Sequence, residues 1–176
     1  MKLYHTGALV IQEPDVRHGR KNADFGQGFY LTPDREFTYR WAGENAVVNL
    51  YELDMSGLTV CRFGRDAAWF DYIFRNRRFT DTLSADVVIG PIANDTIFDT
   101  MGTLSSGCLT PEEALRLLSL GPEYTQVAVK TERAAKQLRW IGAETVVRIE
   151  GEQRRREQED YLQALGAAMQ EIAGEN

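Results

Sequence analysis

Apolar residues in this chain come in short runs of two alternating kinds, and that alternation limits the folds open to it. Residues 46–53 form a β-branched and aromatic run, 85–89 are apolar except at Asp86, and 126–130 alternate as a half-buried strand does. Helical signals fall between them. Ala67, Phe70, Ile73 and Phe74 recur near helical spacing, and TPEE at 110–113 supplies an N-cap threonine, a proline at the first helical position and a glutamate at the third. Further strands are expected at 2–6, 28–32, 58–63 and 145–149, and further helices over 33–41 and 132–138. The core is therefore expected to be mixed α and β, with a strand order that local signals do not disclose.

Three details of this reading make sharp expectations. Thr32 is placed to cap the 33–41 helix with Pro33 at its first position. Residues 58–63 are expected to pair with 46–53 across a turn at 54–57, and Gly90 with Pro91 to stop the strand at 85–89.

At 176 residues, 43% of them hydrophobic and 26% charged, the chain has the size and composition of one folded domain. No repeat or long linker divides it, so residues 1–150 read as the domain and 151–176 as its helical appendage. In that tail Tyr161, Leu165, Met169 and Ile172 can line one face, able to dock on the domain itself or on another protein. Apolar stretches such as 87–89 fall far short of the roughly 20 residues a membrane-spanning helix needs. The N-terminus enters polar sequence at once, without the apolar segment of a secretory signal, so a cytoplasmic location is expected. A formal charge of −6 disfavours a broadly basic nucleic-acid binder unless positive charge is locally concentrated. Cys61 and Cys108 are far apart and lack nearby cysteine or histidine, which reads as two reduced, buried thiols rather than a disulfide or zinc site.

Histidine is scarce. His5, in the apolar opening strand, reads either as a hydrogen-bonded core residue or as a ligand contact, whereas His18 sits in a loop with no companion ligand. DFGQGFY at 24–30 is the densest unusual pattern, and Gly26 and Gly28 suit either a tight turn through positive φ or a backbone drawn close to a ligand. It is not the kinase metal-binding triplet, whose companion motifs are missing, nor a phosphate-binding loop ending in Lys-Ser/Thr. Asn94 and Asp95 suit an Asx turn or the mouth of a cleft. Arg75, Arg77 and Arg78 read as a solvated helix end or as phosphate contacts, and Arg154 to Arg156, among Glu152, Glu157 and Glu159, as a solvated helix with internal charge pairs. With no G-x-S-x-G elbow and no cysteine–histidine spacing, hydrolytic nucleophile chemistry is not the leading case.

LYHTG at 3–7, GR at 19–20, DFGQGFYLT at 24–32, WA at 41–42, FDYIFRNR at 70–77, DVVIGPIAND at 86–95 and YTQVAVKT at 124–131 together resemble the bacterial DUF3990 family. That family in turn resembles the ADP-ribosyltransferase superfamily. The resemblance implies an α/β (α+β) domain with a split β-sheet core and surrounding helices, binding NAD through a histidine on an early strand, a tyrosine on a second and usually a glutamate on a later one. His5 stands at the position of the histidine that bonds the nicotinamide-side ribose, Tyr30 at that of the aromatic residue stacked on nicotinamide, and Gln126 at that of the glutamate. Tyr4, Thr6, Gly7 and Gly28 are implied beside the dinucleotide, with the Gly7 backbone against the carboxamide, and Arg20 and Asp24 on the diphosphate side. The implied reaction is loss of nicotinamide from the anomeric carbon of NAD and capture of the ribose by a protein or nucleic-acid acceptor, in a toxin-system component whose partner could be an antitoxin protein. A negative charge near that carbon favours the reaction. Glutamine keeps a ribose hydrogen bond but supplies neither the charge nor a general base, so a different acceptor, a weak enzyme, or a non-catalytic NAD-binding or protein-interaction module are the alternatives.

Overall fold

The computed structural model describes residues 1–42, 45–93, 109–146 and 151–175. In chain order its elements are β1 (Lys2–Gly7), β2 (Phe29–Leu31), α1 (Arg35–Trp41), β3 (Ala46–Leu53), β4 (Val60–Arg62), α2 (Ala67–Asn76), β5 (Val87–Pro91), α3 (Pro111–Leu118), β6 (Thr125–Val129), α4 (Glu132–Lys136), β7 (Leu138–Val146) and α5 (Gly151–Glu175). The fold is mixed α and β, with two sheets among the described residues. One is antiparallel, in the order β1-β3-β7, and the other runs β2-β6-β5-β4, antiparallel except for the β4–β5 pair. The sheets meet at β1 and β2, where a lone antiparallel bridge joins Tyr4 and Thr32 through N···O contacts of 2.8 and 2.9 Å.

Strand alternation divides the core in two. Leu31, Val127, Val129, Val87 and Ile89 of the second sheet cluster with Leu3, Tyr51 and Leu53 of the first. Val88 and Ala128 point the other way and are covered by Trp69, Phe70 and Ile73 of α2, Ala114, Leu117 and Leu118 of α3, and Ala168 and Ile172 of α5. The expected apolar face of α5 therefore docks on its own domain. Tyr161 and Leu165 pack there too, but Met169 is 43% exposed and Ala168 takes the inward place. Among the described residues no helix is long and apolar enough to cross a membrane. Cys61 is a half-buried free thiol, and Cys108, like Asn94 and Asp95, lies outside the described residues.

Thr110 and Glu113 form the reciprocal capping box that their spacing announced, and Asp66 caps α2 by accepting from the Trp69 N–H at 2.9 Å. Four expectations need correction. Thr32 does not cap α1: its hydroxyl donates to the Thr125 carbonyl at 2.8 Å, and Asp34 is the cap, accepting from the Phe37 N–H. Residues 58–63 do not pair with β3, whose two edges are taken by β1 and β7; after Gly57, at φ +71°, the chain crosses to the second sheet, where β4 lies parallel to β5. Gly90 and Pro91 do not stop the strand but lie inside β5, opposite Gln126 and Thr125. β4 ends opposite Ile89, so the edge on which proline lacks an N–H needs no donor there. Finally, α4 ends at Lys136 and β7 begins at Leu138, well before the expected 145–149. As an edge strand β7 buries only Leu138 and Val146, which leaves little alternation to read; 147–149 lie outside the described residues.

Candidate functional site

Had the β1–β2 ladder continued past Tyr4 and Thr32, Thr6 would face Tyr30 and its N–H would bond the Tyr30 carbonyl. The strands part instead. The Thr6 hydroxyl donates to the Thr38 carbonyl, and the Tyr30 carbonyl receives His5 Nδ1 at 2.7 Å. Because a carbonyl only accepts, Nδ1 carries the imidazole hydrogen and Nε2 is left as an acceptor, with no hydrogen-bond partner among the described residues. The ring is stacked on Phe29 with centroids 4.3 Å apart. Gly7, two residues along, faces the same side, and a Cβ there would lie 3.3 Å from Nε2. Burial lowers the His5 pKa below its ordinary 6.5, against the pull of the Tyr30 carbonyl, so the ring is neutral at neutral pH.

Tyr30 lies opposite Ala128, two residues from Gln126 on the same face of the second sheet. Its hydroxyl donates to the Gly26 carbonyl at 2.7 Å and accepts from the Phe25 N–H at 2.9 Å, and burial raises its pKa so that it stays protonated. Gln126 is buried, its amide donating to Asp24 Oδ2 at 2.8 Å and to the Pro91 carbonyl at 3.2 Å. Asp24 is the hub. Its Oδ1 accepts from Arg77 Nε and Nη2 at 2.8 and 2.5 Å, its Oδ2 also from the Ala93 N–H, and its carbonyl from Asn76 Nδ2.

Tyr30, Gln126 and Asp24 are thus gathered on the α2 side of the second sheet. The His5 ring stacks on Phe29, which faces the inter-sheet side, and His5 meets this group through the Tyr30 backbone. Tyr4 packs beside Tyr39 in a small cluster with Val48, on the opposite face of β1 from His5. Arg20 and His18 are exposed. Gly26 has the positive φ of a turn, +73°, but Gly28 does not; it is a close-approach glycine, because a Cβ there would sit 2.8 Å from the Val129 carbonyl oxygen. Arg77 departs from the solvated helix end expected of it, and with Asn76 was missed as part of the site. A signal was present: Arg77 follows Phe70 and Ile73 at i+7 and i+4 on the inward stripe of α2.

A cleft of about 860 Å³ opens where the chain leaves β6. Lys130 Nζ there donates to the Phe25 carbonyl at 2.7 Å and the Tyr72 hydroxyl at 3.2 Å and pairs with Asp81. Burial pulls the Lys130 pKa down to about 8, although the ammonium pairs with Asp81. Asp86 accepts from Arg133, the Thr131 hydroxyl and the Thr59 N–H, which together hold its pKa at about 2. Among the described residues no group of three or more histidine, cysteine, aspartate or glutamate side chains could hold a metal ion.

The family model described as a protein of unknown function, DUF3990, matches residues 1–140. The chain belongs to DUF3990. No curated protein and no solved structure matches it. The matched stretch of this DUF3990 protein runs from before β1 into β7 and includes His5, Asp24, Tyr30, Arg77 and Gln126. It also contains Gly19, where a Cβ would fall 2.1 Å from the Gly28 carbonyl oxygen. Both sides of that contact are backbone, so Gly19→Ala is expected to cost at least about 1–3 kcal/mol of stability. A melting temperature equal to that of the wild type would show that this approach is not tight.

Proposed function

We propose that this DUF3990 protein binds NAD where β1 and β2 part and transfers its ADP-ribosyl group to a macromolecular acceptor. The observation that carries the reading is the state of His5: a neutral ring, Nδ1 committed to the Tyr30 carbonyl, and Nε2 left as an acceptor of fixed direction beside a residue with no side chain. A ribose hydroxyl needs such an acceptor. Support also comes from adjacency, since β1, β2 and β6, the strands bearing His5, Tyr30 and Gln126, are neighbours across a split in the sheets, the core that the ADP-ribosyltransferase resemblance implies.

NAD supplies an electrophilic ribosyl carbon, because nicotinamide departs with the electron pair of the C–N bond while an acceptor oxygen or nitrogen forms the new bond and gives up its proton. The chain's own part is mostly positional. Nε2 accepts from the ribose, and Tyr30, whose ring lies on the α2 side of its sheet, contributes the carbonyl that fixes the His5 ring and gives no proton, its hydroxyl being held by Gly26 and Phe25. Gln126 is uncharged, and the carboxylate it touches, Asp24, is balanced by Arg77. Firm NAD binding with slow transfer is the behaviour this arrangement favours.

Titration calorimetry should show wild-type binding of NAD and a loss of roughly tenfold or more in His5→Ala, the cost of an unmade hydrogen bond to a polar ligand. Because burial lowers the His5 pKa, affinity should fall only at a lower pH than the titration of an exposed imidazole, as Nε2 takes a proton and changes from acceptor to donor. Wild-type protein that does not bind NAD sinks the proposal, and binding without nicotinamide release reduces it to NAD recognition. Tyr161, Leu165 and Ile172 of α5 pack on the domain's own core, which leaves Leu162 and Met169 as the exposed apolar residues on which an antitoxin or other protein partner would have to dock.

A further inference from the structure

The cleft beyond β6 has a charge balance unlike that of the chain. It is lined by Lys21, Arg78, Lys130 and Arg133 against Asp81 and Asp86, while the whole protein carries −6. Lys130 pairs with Asp81 and Arg133 with Asp86, so both acids are neutralised from within. Lys21 and Arg78 have no carboxylate partner among the described residues and leave the cleft with two uncompensated positive charges. Arg78 is nevertheless held, its guanidinium lying over the Phe74 ring at 3.9 Å. Beside it Phe79 is 69% exposed, on a turn fixed by the Arg78 and Phe79 N–H groups bonding the Arg75 carbonyl at 3.0 and 2.7 Å. A positioned cation and a bare aromatic ring at the mouth of a polar cleft are the parts of a stacking platform for unpaired bases.

We propose that this cleft binds single-stranded nucleic acid, with Lys21 and Arg78 on phosphates and a base stacked on Phe79. The same chemistry, phosphate beside a flat ring, occurs in a free dinucleotide. A dinucleotide pocket, however, encloses its ligand in mainly apolar walls, whereas this lining is polar and its aromatic stands at the rim, where a chain can pass through. Duplex bases are already stacked and have no face to offer Phe79. Binding here needs neither His5 nor Tyr30 and stands whether or not ADP-ribose is transferred.

Fluorescence anisotropy with labelled 12-nucleotide DNA and RNA single strands, a 12-base-pair duplex and NAD as competitor tests the assignment across a salt series. Wild-type protein should bind both single strands, at least about tenfold tighter than the duplex, with a log K against log salt slope near −1.4, about 0.7 for each of two phosphates. The Lys21→Ala/Arg78→Ala double variant should flatten that slope. Phe79→Ala should weaken binding by about tenfold and leave the slope alone. All three side chains are exposed, so the variants should keep the wild-type circular dichroism spectrum, and His5→Ala should bind the strands as wild type does. Absence of wild-type binding, affinities unmoved by these substitutions, a duplex bound equally well, or displacement of the strand by NAD would each overturn the proposal.

Discussion

Replacing Asp24 by alanine should lower the unfolding free energy by about 3–5 kcal/mol, the cost of leaving a buried charge without its partner. Asp24 is 6% exposed, and its carboxylate accepts from the Arg77 guanidinium, the Gln126 amide and the Ala93 N–H. Alanine leaves the buried Gln126 amide and Ala93 N–H short of an acceptor, takes the carboxylate from the Arg77 guanidinium, which is 23% exposed, and frees the loop on which Phe25 and Gly26 hold the Tyr30 hydroxyl. Urea unfolding followed by far-ultraviolet circular dichroism gives the measurement. Asp24→Asn should lose less, because one oxygen stays for Arg77, but not nothing, since a second amide can point N–H at N–H across the Gln126 contact. Asp24→Ala and Arg77→Ala should be less than additive, as residues sharing one network are. A midpoint for Asp24→Ala within error of the wild type would show that the hub does not hold the loop.

Asp24 also marks how far the sequence can be read. Signals carried by neighbouring residues were legible: the Thr110 capping box, β3 over Ala46–Leu53, and the helical spacing of Ala67, Phe70, Ile73 and Phe74 that became α2. What failed depended on partners distant in the chain. No local signal says that both edges of β3 are occupied, and so β4 was assigned to the wrong neighbour. Pro91 looked like a strand end because its tolerance depends on where β4 stops. At the site, the residue types on β1, β2 and β6 were recognisable through family resemblance, whereas the bonds between them were not. Asp24 reaches Arg77 across 53 positions and Gln126 across 102, and the aspartate read from sequence as a ligand-side residue has its oxygens engaged by protein donors. Gly28, whose pattern suited either a φ-positive turn or a close approach to a ligand, instead has the Val129 backbone against it.

The Gln126–Asp24 contact makes a second large effect predictable. Gln126→Glu introduces the residue that the proposed ADP-ribosyltransferase resemblance implies there, yet it turns a donor 2.8 Å from Asp24 Oδ2 into a second carboxylate in a buried site. Arg77 already serves Asp24 through the other oxygen and offsets only part of the repulsion. About 3 kcal/mol of stability should be lost at pH 8, the lower end of what an uncompensated buried charge costs. The sign of the pH dependence follows from the shared proton. Two carboxylates this close hold one proton to higher pH than the same groups in the unfolded chain, so the folded variant binds more protons and gains stability as pH falls. Urea midpoints should therefore approach those of the wild type from pH 8 toward pH 5. The Asp24→Asn/Gln126→Glu pair, which exchanges amide and carboxylate, should recover part of the loss at pH 8, though not Arg77's ion pair. A Gln126→Glu variant as stable as wild type at pH 8 would mean that the site admits water or a cation able to separate the two charges, and the buried clamp at Asp24 would have to be abandoned with it.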